Sequence, residues 1–100
     1  MKIVAGNELG TNELPDLITH LKVKNPVDDI IEIKMKSRIE QNVIIRLLDL
    51  SGREIIRKQQ SIQPGQNNFT IGQEKLSPGM YLLNFDFSSG GMVTRKVVKK

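Results

Sequence analysis

The stretch Val43-Ile44-Ile45-Arg46-Leu47-Leu48-Asp49-Leu50-Ser51-Gly52-Arg53-Glu54-Ile55-Ile56-Arg57 decides the fold. Both arms are β-branched and apolar and the middle is a turn sequence, so it reads as a β-hairpin. Asp49 suits the first turn position because its carboxylate accepts backbone N–H groups two residues on. Gly52 suits the position after the turn, where φ must be positive and a Cβ would clash. A type I turn followed by a left-handed glycine gives a three-residue loop with a bulge, Leu50-Ser51-Gly52. That loop sets Asp49 opposite Arg53, Leu48 opposite Glu54, Leu47 opposite Ile55 and Arg46 opposite Ile56. Alternation then sends Val43, Ile45, Leu47 and Ile55 to the core, and Arg46, Glu54 and Lys58 to the other face. A short helix is the rival reading, and the mid-run Ser-Gly and the Val/Ile density count against it.

Outward from the hairpin the same alternation recurs. Upstream, Ile31, Ile33 and Met35 alternate with Glu32, Lys34 and Lys36, and Leu21-Lys22-Val23-Lys24 reads as a shorter strand. Between them Asn25-Pro26-Val27-Asp28-Asp29 forms a turn, because Pro26 fixes φ and donates nothing to a ladder. Downstream, Pro64-Gly65 marks a turn before the strand Asn68–Ile71, with Phe69 and Ile71 on one face. Pro78-Gly79 makes a corner before Tyr81–Phe87, where Tyr81, Leu83, Phe85 and Phe87 share a face. Tyr81 after that corner suggests a tyrosine corner, its hydroxyl bonding back to backbone near Leu76; a core aromatic with a wet tip is an equal alternative. Ser88-Ser89-Gly90-Gly91 then turns the chain into a last strand, Met92 to Lys100. About seven short strands with turn signals every ten residues or so argue for an all-β, immunoglobulin-like antiparallel β-sandwich. Gly6, Asn7, Gly10, Thr11, Asn12 and Pro15 punctuate the start, so residues 1–19 read as a linker and 20–100 as the folded domain, with a helical turn at Asp16–Leu21.

A chain of 100 residues suits one domain. With no cysteine, neither a disulfide framework nor a thiolate metal site exists. Aromatics make up 4% and Trp is missing, so the core must be aliphatic. The net charge of +4 suits an anionic partner such as nucleic acid or a lipopolysaccharide-bearing surface, but solvated alternate strand positions are the better first reading. No stretch is long and apolar enough to span a membrane, and Met1–Glu8 has no apolar signal-peptide core, so export would need a signal upstream.

The residues supply no catalytic set. His20 is the single histidine, without a partner for a metal site, and reads as an ordinary surface residue. No Ser/His/Asp spacing suits nucleophilic chemistry. Asp28 and Asp29, adjacent on an extended chain, point apart and lack the further oxygens calcium needs. No glycine-rich phosphate loop leads into a helix. Asn68-Phe69-Thr70 matches the glycosylation sequon but falls in a strand and is discounted. Neither a catalytic residue, a metal nor a cofactor is expected.

Four segments, in order, resemble a known family. Asn25-Pro26-Val27 before acidic residues, Asp49-Leu50-Ser51-Gly52-Arg53, Leu76-Ser77-Pro78-Gly79-Met80-Tyr81, and Lys96-Val97-Val98-Lys99-Lys100 at the end resemble the type A C-terminal sorting domain of the Bacteroidetes type IX (Por) secretion system. The resemblance spans Val23 to Lys100. It departs at the opening, where the family has Tyr-Pro-Asn-Pro and this chain has Val23-Lys24-Asn25-Pro26.

That resemblance implies a non-catalytic tail on an exported cargo. It would fold in the periplasm, be recognised by the outer-membrane translocon and its shuttle components, and be cut off at the cell surface by a sortase-like cysteine protease. Lys96, Val97, Val98, Lys99 and Lys100 with the adjoining sheet edge would be the recognition surface. Asn25, Pro26, Asp49, Gly52, Gly79 and Tyr81 would be structural motif positions. Cleavage would fall in the linker near Gly6 or Gly10. Neither nucleic acid nor direct membrane insertion is expected. The rival functions are an accessory structural or carbohydrate-binding module, which would need exposed aromatics, and a basic nucleic-acid binder, which would need aromatics interleaved with Lys/Arg.

Overall fold

Strands form wherever the apolar/polar alternation is clean. The computed structural model describes residues 14–25, 30–72 and 76–100. Its seven strands are β1 (Ile18–Val23), β2 (Ile31–Ser37), β3 (Gln41–Leu48), β4 (Glu54–Ile62), β5 (Gly65–Ile71), β6 (Gly79–Phe87) and β7 (Met92–Lys99). They form two antiparallel sheets, ordered β1-β2-β5 and β4-β3-β6-β7. The inner faces of both sheets supply one core, including Ile31, Ile33 and Met35 from one and Val43, Ile45, Leu47, Leu83, Phe85, Val93 and Val97 from the other. That is the expected immunoglobulin-like sandwich.

The chain crosses between sheets at polar corners that are hydrogen-bonded, because bare backbone there would be left without partners. At the β2–β3 crossing the buried Ser37 hydroxyl donates to the Ile39 carbonyl at 2.7 Å, and Gln41 Nε2 donates to Ser37 Oγ at 3.4 Å. At the β4–β5 crossing Asn67 Nδ2 donates to the carbonyls of Gln63 and Gly65, and its Oδ1 accepts the Gln63 N–H. Tyr81 makes the tyrosine corner: its hydroxyl donates to the Ser77 carbonyl at 2.5 Å, one residue from the expected Leu76.

The central hairpin has the expected loop. Gly52 N–H donates to the Asp49 carbonyl at 2.9 Å, Asp49 N–H to the Arg53 carbonyl at 3.0 Å, and Gly52 has φ +91°. The expected register fails after one pair. Leu48 faces Glu54, but Leu47 faces Ile56, Arg46 faces Arg57 and Ile45 faces Lys58, because Ile55 is the extra residue of a β-bulge. The slip exchanges the two faces of β4. It brings Ile62 into the core, fully buried, and leaves Arg57 exposed. Without the bulge Arg57 would point inward and Ile62 outward. Lys58, expected on the outer face, therefore lies on the inner side, half-buried, where its ammonium donates to the Thr70 carbonyl on β5 at 3.0 Å.

The start of the domain also differs from expectation. Asp16 and Leu17 form a turn closed by Ile18 N–H to the Pro15 carbonyl at 2.9 Å, and β1 starts at once, with no helical turn continuing to Leu21. Ile18 is buried in the core, and a bulge between Ile18 and His20 restores the alternation against β2. Burial of one isoleucine outweighs the weak helix signal of the Asp-Leu pair.

Candidate recognition edge

β7 pairs with β6 on one flank only and is an edge strand of the larger sheet. The hairpin pairs Phe87 N–H with the Gly91 carbonyl at 3.1 Å. Backbone groups alternate in direction along an antiparallel strand, so those of Val93, Arg95, Val97 and Lys99 turn toward β6 and those of Thr94, Lys96 and Val98 turn outward. The outward amide of Val98 is held: it donates to Asn25 Oδ1 at 3.0 Å. Thr94 and Lys96 present their outward backbone groups to no described strand.

Side chains on β7 split the expected recognition set in two. Val97 is buried at 1% exposure beside Val93, so it anchors the strand in the core. Lys96 and Lys100 are exposed, and Val98 and Lys99 are half-buried. Lys96 lies opposite Leu82, which lies opposite Leu48; Val98 lies opposite Met80, which is 41% exposed. The outer face near the end of β7 is thus a small apolar strip beside a lysine.

The register places the other motif residues at the same end of the sandwich. Gly79 faces Lys99 and Tyr81 faces Val97. The Asp49–Gly52 turn closes β3 just past the Leu48–Leu82–Lys96 row. Asn25 arrives at that end from β1. Pro26 lies outside the described residues, as do Gly6 and Gly10. At the opposite end, a Cβ built on Gly91 would meet the Pro15 ring at 2.6 Å, so the segment leading into β1 lies against the β6–β7 turn.

The Asp49 turn fastens a carboxylate with four hydrogen bonds. Its Oδ1 accepts the Ser51 hydroxyl at 2.6 Å and the Ser51 and Arg53 amides at 3.0 Å each, and its Oδ2 accepts Arg53 Nε at 3.1 Å. The Ser51 hydroxyl and then the Arg53 amide hold the carboxyl below its ordinary range, against a smaller opposing desolvation. The charge is fastened to the turn, so its role is to shape the loop. On the outer face of the large sheet Arg46 is answered by Asn84 at 3.2 Å, Glu54 at 3.7 Å and Asp86 at 3.9 Å. Among the described residues no His/Cys/Asp/Glu group is placed to hold a metal ion.

A secretion-system C-terminal sorting domain family matches residues 25–100, from the Asn25 that holds β7 to the last lysine. The chain belongs to that family, the type IX (Por) secretion sorting domains. No curated protein matches the chain. Among solved structures, CopC from Methylosinus trichosporium OB3b is similar at 21% identity and a TM-score of 0.48, over 81% of this chain and 87% of that one. Membership of the sorting-domain family carries export to the cell surface or extracellular space by the Por machinery, and the family is one of sorting signals. The sorting domain keeps its aromatics inside: Tyr81, Phe85 and Phe87 are buried and Phe69 packs half-buried against the core. A sugar-stacking platform is therefore missing among the described residues, which disfavours the carbohydrate-binding alternative.

Proposed function

We propose that this domain is the non-catalytic address of an exported cargo, read by the outer-membrane translocon and its shuttle components at the β7 edge and removed at the cell surface by a sortase-like cysteine protease. The observation that carries the reading is that the family's terminal motif forms an edge strand with one flank unpaired by any described strand. A receptor strand could add to that flank through Thr94 and Lys96, giving affinity by backbone hydrogen bonds, while Lys96, Val98 and Lys100 supply specificity. Val97 acts from the core, and Lys99, half-buried, beside it.

In this reading the stretch ahead of β1 joins the cargo to the folded domain, which takes in Ile18 and Thr19 as well as 20–100, and the cut falls in that stretch, near Gly6 or Gly10. Pro15 against Gly91 supports a division of labour. The cargo junction leaves from the end of the sandwich opposite the tip of β7, roughly 25 Å away for a strand of this length. Translocon and protease would then engage separate ends. The domain would fold in the periplasm before it is read.

The test is a fusion of a reporter cargo to this chain. Deleting Val97–Lys100 is expected to strand the fusion in the periplasm, and Lys96→Glu with Val98→Asp to do so without unfolding the domain. Normal surface delivery of the folded double variant would overturn the recognition edge. Mass spectrometry of the released cargo's C-terminus places the cut.

A further inference from the structure

The exposed face of the smaller sheet is basic in a way that folding does not favour. Its outward residues form a grid: His20 opposite Lys36 and Gln66, Lys22 opposite Lys34 and Asn68, and Lys24 beside Glu32, which faces Thr70. All are exposed. Four lysines thus meet one glutamate, and that glutamate is half spent on Lys24 at 3.9 Å. The cross-strand pair Lys22–Lys34 sets two ammonium groups directly opposite each other, an arrangement that destabilises a sheet. The other broad face of the same domain answers Arg46 with two carboxylates. That face sets Arg46, Arg57 and Lys96 against Glu54 and Asp86, so the larger basic excess lies on the small sheet.

The shape of that side selects the partner. The domain is a slab of 35 × 34 × 18 Å, and the basic grid covers one broad face. No aromatic residue lies on it for bases or sugars to stack upon. A recess on it, between Lys22, Lys24, Glu32 and Lys34, is too small for anything larger than an ion or water. A flat array of lysine ammonium groups on flexible stems matches a planar array of phosphates. We infer that the β1-β2-β5 face docks the domain peripherally on an anionic membrane surface through lipid phosphate headgroups, with no insertion.

The inference goes beyond the sorting function and stands apart from the β7 edge, since vesicle binding needs no translocon. The test is co-sedimentation of the full chain with vesicles of phosphatidylcholine mixed with phosphatidylglycerol, against phosphatidylcholine alone. Binding is expected to the anionic vesicles only, and to fall steeply as salt rises. Each lysine removed from the face is expected to weaken partitioning roughly fivefold, so Lys22→Gln with Lys34→Gln and Lys36→Gln should nearly abolish it while circular dichroism and surface delivery of a cargo report an intact fold and signal. The control variant Lys96→Gln with Lys100→Gln should bind vesicles as the parent does. Equal binding to neutral vesicles, unchanged binding of the triple variant, displacement by low inorganic phosphate, or tighter binding to duplex DNA than to vesicles would each overturn the inference.

Discussion

Asn25 Oδ1 accepts the backbone N–H of Val98 at 3.0 Å, joining two motifs 73 residues apart in sequence. Asn25 follows the end of β1 in the smaller sheet, and Val98 lies near the end of β7 in the larger. A side-chain amide does there what a neighbouring strand would do, at the last outward-facing amide within β7. Asn25 thus fastens the end of β7, while Thr94 and Lys96 keep a flank with no described strand beside it.

Asn25→Ala is expected to release that amide to water with little change in global stability. A hydrogen bond at an exposed edge contributes about 0.5–1.5 kcal/mol, so amide exchange at Val98 should rise roughly fivefold, read by NMR, while Val97 stays protected by its pairing with Tyr81. Unchanged exchange at Val98 would show that the bond does not hold the strand.

Tyr81→Phe removes only the hydroxyl that closes the corner onto Ser77. The ring stays in the core, and the Ser77 carbonyl, in an exposed residue, regains water. We expect a loss of about 0.5–1.5 kcal/mol, seen as a lower urea midpoint with an unchanged slope. A loss above that range would place the stabilisation elsewhere.

Asp49 sets the acid limit of the hairpin end. Its carboxyl is held below the ordinary 3.8 in the folded state, so its contribution is fully present above that value and is lost as pH falls through the folded value. The amide shifts of Ser51 and Arg53 should titrate together with a midpoint under 3.8, and in Asp49→Asn that transition should vanish. A midpoint at or above the ordinary value contradicts the hydrogen-bonded turn.

Lys58→Met removes an inward-pointing charge from β4, the other edge of the large sheet. Inward charge on an edge strand discourages pairing with a second molecule. The variant should self-associate at concentrations where the parent is monomeric, measured by sedimentation velocity. The added apolar contact with Ile45 offsets the lost bond to Thr70, so thermal stability of the monomer should change little. A variant that stays monomeric shows that β4 is guarded by something else.

Read along the chain, Asp16–Leu21 passes for a helical turn where β1 begins at Ile18, and Tyr81 suits a corner and a plain core aromatic equally; seven strands, the Asp49–Gly52 loop and the family resemblance are legible. Each depends on local chemistry: alternation of period two, a glycine needed at positive φ, a proline before a strand. Packing of the two sheets sets the face of Lys58, because a bulge at Ile55 shifts register by one residue and either of two adjacent isoleucines could have faced Leu47. Burial of Ile62, seven residues from the bulge, settled that choice. Folding alone, likewise, could bring Asn25 to Val98 and stack Lys22, Lys34, His20 and Lys36 on one face, since strand order and cross-strand partners are properties of the packed sheets. Spacing along the chain sets which way a side chain points; what it meets is set by the strand laid beside it.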